Sequence, residues 1–165
     1  MNYFVHFTTG RSVFYVLKSL MPQIILKESF SGGIMKVNKK RVKKFSLLFI
    51  LGAIGYGAIE VIWRGFTHWS MMIAGGICFI IFSLVAERFK EKSIIIKAGI
   101  CAVGVTVVEF LFGVIFNLIF KMNVWDYSHM PLNLLGQICP LFSLMWVGIA
   151  IAFLPLADVI NKEYA

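Results

Sequence analysis

Charged residues are scarce in this sequence, and their scarcity excludes an ordinary water-soluble fold. Asp, Glu, Lys and Arg make up 15% of the 165 residues, whereas soluble domains carry about 25%. Hydrophobic residues make up 59% of the chain, against about 45–50% in soluble proteins. We therefore predict a small integral membrane protein with a single domain.

Several motifs that would define an enzyme or an ATPase are also missing. The sequence has no Gly-x-x-x-x-Gly-Lys-Ser/Thr phosphate loop, no His-Glu-x-x-His or Cys-x-x-Cys zinc site and no Gly-x-Ser-x-Gly motif. The three cysteines, Cys78, Cys101 and Cys139, lie in apolar stretches and are predicted to be buried free thiols. We expect no cofactor, and energised transport would need a partner chain or an ion gradient.

Four apolar segments are long enough to form membrane-spanning helices, each of which requires about 20 residues. They cover residues 45–63, 69–86, 94–120 and 134–156. The sequence therefore predicts an all-α integral membrane protein with four transmembrane helices arranged as two helical hairpins.

The basic residues predict the orientation of these spans. Of the 16 Lys and Arg residues, six form a short run directly before the first span and four lie in or beside the middle loop: Lys36, Lys39, Lys40, Arg41, Lys43 and Lys44, then Arg88, Lys90, Lys92 and Lys97. The other two loops carry only Arg64 and Lys121. By the positive-inside rule, both termini are cytoplasmic and the Trp125–Pro131 region faces outside. The net charge of +8 then indicates contact with membrane lipids and not with nucleic acid.

The expected organisation is a basic N-terminal cytoplasmic segment (1–44), a four-helix membrane domain (45–157) and a cytoplasmic tail (158–165). Residues 1–34 fit no span, because their apolar stretch is short and is interrupted by Lys18 and Pro22. The segment Ser31–Met35 can be encoded by a purine-rich ribosome-binding site followed by ATG. We hypothesise that translation starts at Met35 and that residues 1–34 are an upstream leader, which mass spectrometry of the native N-terminus would test.

Glu109 is the most informative single residue, because it lies in the middle of the third span. A charge at that depth costs about 2.5–3.5 kcal/mol on insertion scales. Gly113 and Asn117 follow at four-residue intervals and share its helix face. This face could form a proton, cation or headgroup site, or a protonated glutamate could simply join two helices.

Polar residues near the outer end of the first span form a second candidate group. Glu60 and Arg64 have the spacing of a favourable ion pair on a helix. His68 could titrate or serve as an interfacial hydrogen-bonding residue. A snorkelling interfacial pair is the simpler interpretation of Glu60 and Arg64.

The segment between the third and fourth spans carries an unusual density of reactive and aromatic groups. Trp125 and Tyr127 are predicted to anchor it at the headgroups, and Asp126 or Ser128 to cap a short helix or turn. Adjacent Asp126, Ser128 and His129 do not make a catalytic triad, since triad chemistry depends on geometry. Two further candidates at the mouth of the fourth span complete an outward-facing polar pocket with Glu60 and Glu109: Asn133 and Gln137.

These residues resemble a known family of small bacterial membrane proteins, the Putative ABC-transporter type IV or CmpB-like permeases. The resemblance rests on Trp125–Ser128, Asn133, Gly136–Cys139 and Phe142-Ser143, with Glu109 and Gly113 upstream. Many members have Gly-Trp before the first glutamate, where this sequence has Gly55-Tyr56. The resemblance implies a permease in the bacterial cytoplasmic membrane.

The expected function is a non-enzymatic permease subunit that binds a small solute or a lipid headgroup. Its partners would be membrane lipids, an ATPase subunit or other membrane protein, or further copies of itself. Two alternatives remain open at this point. One is a non-catalytic assembly or regulatory protein that docks through its Trp-rich outer segment, and the other is an enzyme acting on lipid or cell-wall precursors.

Overall fold

The computed structural model describes residues 39–165, and the predicted leader at residues 1–34 lies outside this range. Its helices are α1 (Lys39–Arg64), α2 (Trp69–Arg88), α3 (Ile94–Phe112) and α4 (Pro140–Glu163). The helix α3 continues as a π-helical segment, Gly113–Ile119. Within the described residues, these four helical stretches are long and apolar enough to cross a membrane, which confirms the predicted number of spans.

Short connections fold the first three helices into antiparallel neighbours. Between α1 and α2 the chain turns at Gly65, whose φ of 81° is in the left-handed region that favours glycine. His68 caps α2, because its Nδ1 accepts a hydrogen bond of 3.3 Å from the Ser70 amide. Ser93 caps α3 in the same way through the amide of Ile96.

The fourth span starts later than the sequence predicts. We expected a helix from residue 134, but α4 begins at Pro140, which occupies the first turn. Proline is well placed there because the first helical amides have no partner within the helix. Residues 134–139 instead form a tight turn, in which the Leu134 amide donates to the Ile138 carbonyl at 2.9 Å.

The apolar core lies where α2, α3 and α4 meet. Its fully buried members include Ala74 on α2, Cys101 and Val105 on α3, and Leu154 on α4. The helix α1 packs almost exclusively on α2 and barely touches α4. A groove therefore separates α1 from α4 on one side of the bundle.

Close packing of α1 on α2 depends on small residues, as is common between membrane helices. A Cβ atom added at Gly75 would collide with the Tyr56 side chain and the Gly52 carbonyl. One added at Gly52 would in turn collide with the Gly75 carbonyl and with Phe79. The two backbones can approach this closely only because neither glycine has a side chain.

Charged pairs gather at the end of the bundle that holds both described termini. Lys44, which is buried, pairs with Glu87, and Lys97 pairs with Asp158 at 3.6 Å. Nearby, the Ser83 hydroxyl donates to the Asn161 amide oxygen at 2.5 Å. Placing a buried lysine at the bundle end, with its partner, avoids the cost of an unpaired charge deeper in the membrane.

We expect Gly75→Ala to destabilise the protein by about 1–3 kcal/mol, because overpacking forces α1 and α2 apart. Thermal unfolding in a mild detergent, followed by circular dichroism, measures the change. Gly99→Ala is the matched control, since a Cβ there meets no atom within 4 Å and alanine favours helices by about 0.5–1 kcal/mol over glycine. Equal stabilities for the two variants would contradict the packing argument.

Candidate functional site

The segment between α3 and α4 is an ordered structure that folds back on itself. The Tyr127 amide donates to the Gly136 carbonyl at 2.8 Å. Asn133 fastens the same segment, since its Nδ2 donates to the Ser128 and Met130 carbonyls at 3.0 and 2.8 Å. These bonds satisfy backbone groups that lipid could not satisfy.

Asn117, in the π-helical segment, connects this folded segment to the bundle. Its Oδ1 accepts from the Val124 amide at 2.6 Å, and its Nδ2 donates to the Trp125 carbonyl at 2.9 Å. The same Nδ2 donates to Gln137 Oε1 at 2.8 Å. Both ends of this buried amide are therefore occupied, which fixes its orientation.

Gln137 and Trp125 complete the buried contact between the connecting segment and the bundle. The Trp125 indole N–H donates to the Gln137 carbonyl at 2.9 Å, and Gln137 Nε2 donates to the Leu135 carbonyl at 2.9 Å. The Gln137 side chain packs directly on Gly113, where an added Cβ would collide with it. The absence of a side chain at Gly113 therefore makes room for this side chain of the connecting segment.

Glu60 and Arg64 form the predicted ion pair, with 2.8 Å between Arg64 Nη2 and Glu60 Oε1. The second oxygen of Glu60 accepts from the Thr67 hydroxyl at 2.7 Å. Arg64 also donates to the Val124 carbonyl at 2.7 Å. The pair is therefore more than an interfacial contact, since it joins the end of α1 to the segment that follows α3.

Glu109 is 4% exposed and lies close to this junction. The Trp146 side chain and Glu60 both lie near enough to interact electrostatically with its carboxyl group. Among the described residues, no ion pair includes Glu109. The Tyr56 ring stacks on the Trp146 indole with 5.5 Å between the ring centroids.

Three predicted candidates have local contacts outside this junction. His68 caps α2, and Asn133 holds the connecting segment together. Asp126 is exposed, and it accepts hydrogen bonds of 2.8 and 3.0 Å from the Ser128 amide and hydroxyl. These bonds hold the pKa of Asp126 below its ordinary value, so the carboxylate stays ionised and maintains a turn.

Tyr127 lies between the exposed surface and the junction. Its ring stacks on Phe142 with 4.5 Å between centroids and an interplanar angle of 14°. Burial raises the pKa of the Tyr127 phenol, so at neutral pH it remains a neutral hydrogen-bonding group.

The structure thus brings together Glu60, Arg64, Asn117, Trp125 and Gln137, with Glu109 alongside. We call these six residues the polar junction.

Sequence reasoning missed Tyr56, Thr67 and Trp146 as neighbours of the candidate residues. Tyr56 is four residues before Glu60, and this spacing placed it on the same face of the first span. Nothing in the sequence pairs Tyr56 with Trp146, since their contact depends on how α1 and α4 are rotated. Within residues 39–165, no three His, Cys, Asp or Glu side chains are grouped so that they could hold a metal ion.

The groove between α1 and α4 has a volume of about 280 Å³. Its floor is α2, and the residues along it are almost entirely apolar, including Ile54, Phe79 and Phe153. Tyr56 and Trp146 also line it. The groove therefore reaches the stacked ring pair that contacts Glu109.

Four helices able to span a bilayer, with a polar junction among them, define a multi-pass membrane protein. Residues 46–164 match the model of the family described as "Putative ABC-transporter type IV". The chain belongs to this family, which confirms the resemblance, and it is thereby a membrane protein related to transport. No curated protein and no solved structure matches it.

Replacing Asn117 with alanine should loosen the segment between α3 and α4. The substitution leaves the Val124 amide, the Trp125 carbonyl and Gln137 Oε1 without this partner, and each unsatisfied buried group costs about 1–3 kcal/mol. Hydrogen exchange at the amides of Val124 and Tyr127 should accelerate. Leu118→Ala, at an exposed neighbouring position, should leave exchange there unchanged, and unaltered exchange in Asn117→Ala would exclude this anchoring role.

Proposed function

We propose that this protein is a permease-like subunit of the bacterial cytoplasmic membrane that binds a small solute or a lipid headgroup at the polar junction. The observation that carries the proposal is Glu109, a buried carboxyl group in the middle of a span that forms no ion pair with any described residue. Residues of this kind inside membranes usually mark a binding site or an ion pathway. Membership of a transporter family supports the same interpretation.

The residues that would recognise the ligand differ in their accessibility. Glu109, Glu60 and Arg64 supply charge, whereas Asn117 and Gln137 are already engaged with each other and with the backbone. We propose that the charged residues bind the ligand and that the two amides position the segment above it. His68, Trp125, Asp126, Tyr127 and Asn133 would then shape the site without carrying the ligand's charge.

In the proposed orientation, the polar junction faces outside and the end with the paired lysines faces the cytoplasm. The unequal distribution of Lys and Arg residues supports this orientation. It is also consistent with the four helices, because an even number of antiparallel spans returns both ends of the bundle to one side.

Cysteine labelling tests the orientation directly. The native cysteines, Cys78, Cys101 and Cys139, are buried, so their background labelling should be low. In intact cells, a membrane-impermeant maleimide should label Ser128→Cys and should label Glu91→Cys only after the membrane is opened. Both positions are exposed, so the reverse pattern would establish the opposite orientation.

Energised transport would require a partner, since the sequence has no phosphate loop. We propose an ATPase subunit, another membrane protein or further copies of this chain as that partner. The helix α1 leaves most of its surface exposed, so the bundle offers room for a partner beside it.

Crosslinking the tagged protein in native membranes and identifying what purifies with it tests this function. The expected result is enrichment of an ATPase subunit or of crosslinked oligomers of the chain. The variant Trp125→Ala distinguishes the permease function from a docking role. Trp125 is 9% exposed and its indole is bonded inside the molecule. If no ATPase and no oligomer appeared, and one unrelated protein were lost specifically in Trp125→Ala, the permease function would be rejected in favour of a scaffold.

A further inference from the structure

The groove between α1 and α4 has the composition of a binding site for a hydrocarbon chain. Its volume of about 280 Å³ is close to the lower end of ligand sites, about 300–1,000 Å³. The lining contributed by α1, α2 and α4 is apolar over nearly its whole length, with residues such as Ile54, Phe79, Ile149 and Phe153. One narrow apolar chain would match this shape and chemistry better than a two-chain phospholipid.

Space for such a chain exists beside the backbone of α1. Gly55 lines the groove, and a Cβ atom added there would meet no atom within 4 Å. Gly52 and Gly75, in contrast, are already in close contact where α1 crosses α2. The groove is therefore open along one glycine-containing strip of α1 and closed where the helices meet.

The polar side chains that line the groove are aromatic and lie next to a carboxyl group. Tyr56 and Trp146 stack on each other, and both lie near Glu109, which is buried behind the groove lining. Aromatic rings attract cations through their electron-rich faces, most strongly where water is excluded. Ionisation of the adjacent Glu109 carboxyl group on binding would add direct attraction for the same charge.

The balance of charge around the ring pair also favours a cation. Glu60 and Glu109 contribute two carboxyl groups, and both lie near enough to act electrostatically on Tyr56. Arg64 is already paired with Glu60. Among the described residues, no cationic side chain forms an ion pair with Glu109, so a bound cation would supply the missing charge.

We propose that the groove binds a single-chain amphiphilic cation, with its hydrocarbon chain between α1 and α4 and its charged group beside Tyr56, Trp146 and Glu109. This inference rests on the proposed function and names the class of its ligand. It commits to a free amphiphile with one chain, since the volume is small and two stacked aromatic rings with a nearby carboxyl group line or adjoin the groove. A bilayer phospholipid and a second copy of the protein are the alternative occupants that the test must distinguish.

The test uses the full chain in nanodiscs of phosphatidylcholine and two photoreactive probes of equal chain length. One probe is decyltrimethylammonium and the other is decanol, each with a diazirine at the end of the chain. Crosslinked peptides are mapped by mass spectrometry at equal membrane concentrations of the two probes. The cation should label the groove segments of α1 and α4 about tenfold more strongly than the alcohol, the ratio expected for a desolvated cation–aromatic contact.

Two glycine-to-leucine variants distinguish labelling in the groove from labelling elsewhere on the protein surface. Gly55→Leu places a side chain in the groove and should reduce labelling by about tenfold. Gly148→Leu is the matched control, because Gly148 is a helix glycine outside the groove lining whose added Cβ also meets no atom within 4 Å. Its labelling should equal that of the unmodified protein.

Glu109→Gln keeps the shape of the side chain and removes its charge. It should weaken the preference for the cation, because only the contact with the aromatic rings remains, and it should retain the labelling by the alcohol. Equal labelling by the two probes in the unmodified protein would overturn the proposal without reference to any variant. Labelling lost in Gly148→Leu as strongly as in Gly55→Leu would also overturn it.

The alternative occupants give their own results. A phospholipid that purifies with the protein and is lost specifically in Gly55→Leu would assign the groove to a bilayer lipid. Crosslinked dimers joined through the groove would assign it to a second copy. Either result would overturn the ligand class, whereas the search for an ATPase partner tests the permease function separately.

Discussion

The hydrogen bonds of Asn117 are the constraint on which the half of the molecule that holds the α3–α4 connecting segment depends. One buried amide accepts from the amide of Val124 and donates to the carbonyl of Trp125 and to Gln137. The backbone of the connecting segment would otherwise face lipid or headgroups with its polar groups unsatisfied. By holding this segment against the end of α3, Asn117 also determines where Gln137 and Trp125 lie. The polar junction is therefore built around a side chain that is itself fully engaged.

The second constraint is the close contact of α1 with α2. Because Gly52 and Gly75 lack side chains, the two backbones can approach each other where they cross. This contact holds α1 against α2, so that α1 has only a small direct contact with α4. The groove follows directly from this arrangement, and so does the contact between Tyr56 and Trp146 across it.

Much of the fold could be predicted from hydropathy and charge alone, because spanning a bilayer imposes a length and a composition on each helix. The ion pair of Glu60 with Arg64 was predictable as well, since a four-residue spacing on a helix determines it. The start of the fourth span was not. Residues 134–139 are apolar enough to extend the helix, yet they fold as a turn because Gln137 packs on Gly113 and bonds to Asn117.

Contacts between helices could not be predicted from the sequence. The pairing of Tyr56 with Trp146, and of Trp146 with Glu109, depends on the rotation of three helices about their axes. Periodicity identifies the face on which a residue lies, but it does not identify the residue that it meets. The buried position of Trp125 illustrates the same limit, since an aromatic anchor at the headgroups was expected and its indole instead bonds inside the molecule.

The placement of charge gives the bundle two chemically different ends. At one end, lysines are paired with carboxylates, as Lys44 with Glu87 and Lys97 with Asp158. At the other end, Glu60 and Glu109 share the neighbourhood of one guanidinium, Arg64, which is paired with Glu60. A carboxyl group kept within a span at a cost of about 2.5–3.5 kcal/mol is difficult to explain by packing alone, because an apolar residue would fill the same space at no such cost. Under the proposed binding, a ligand that brings positive charge to the ring pair would offset that cost, which would account for the stacked aromatic pair at the acidic end of the bundle.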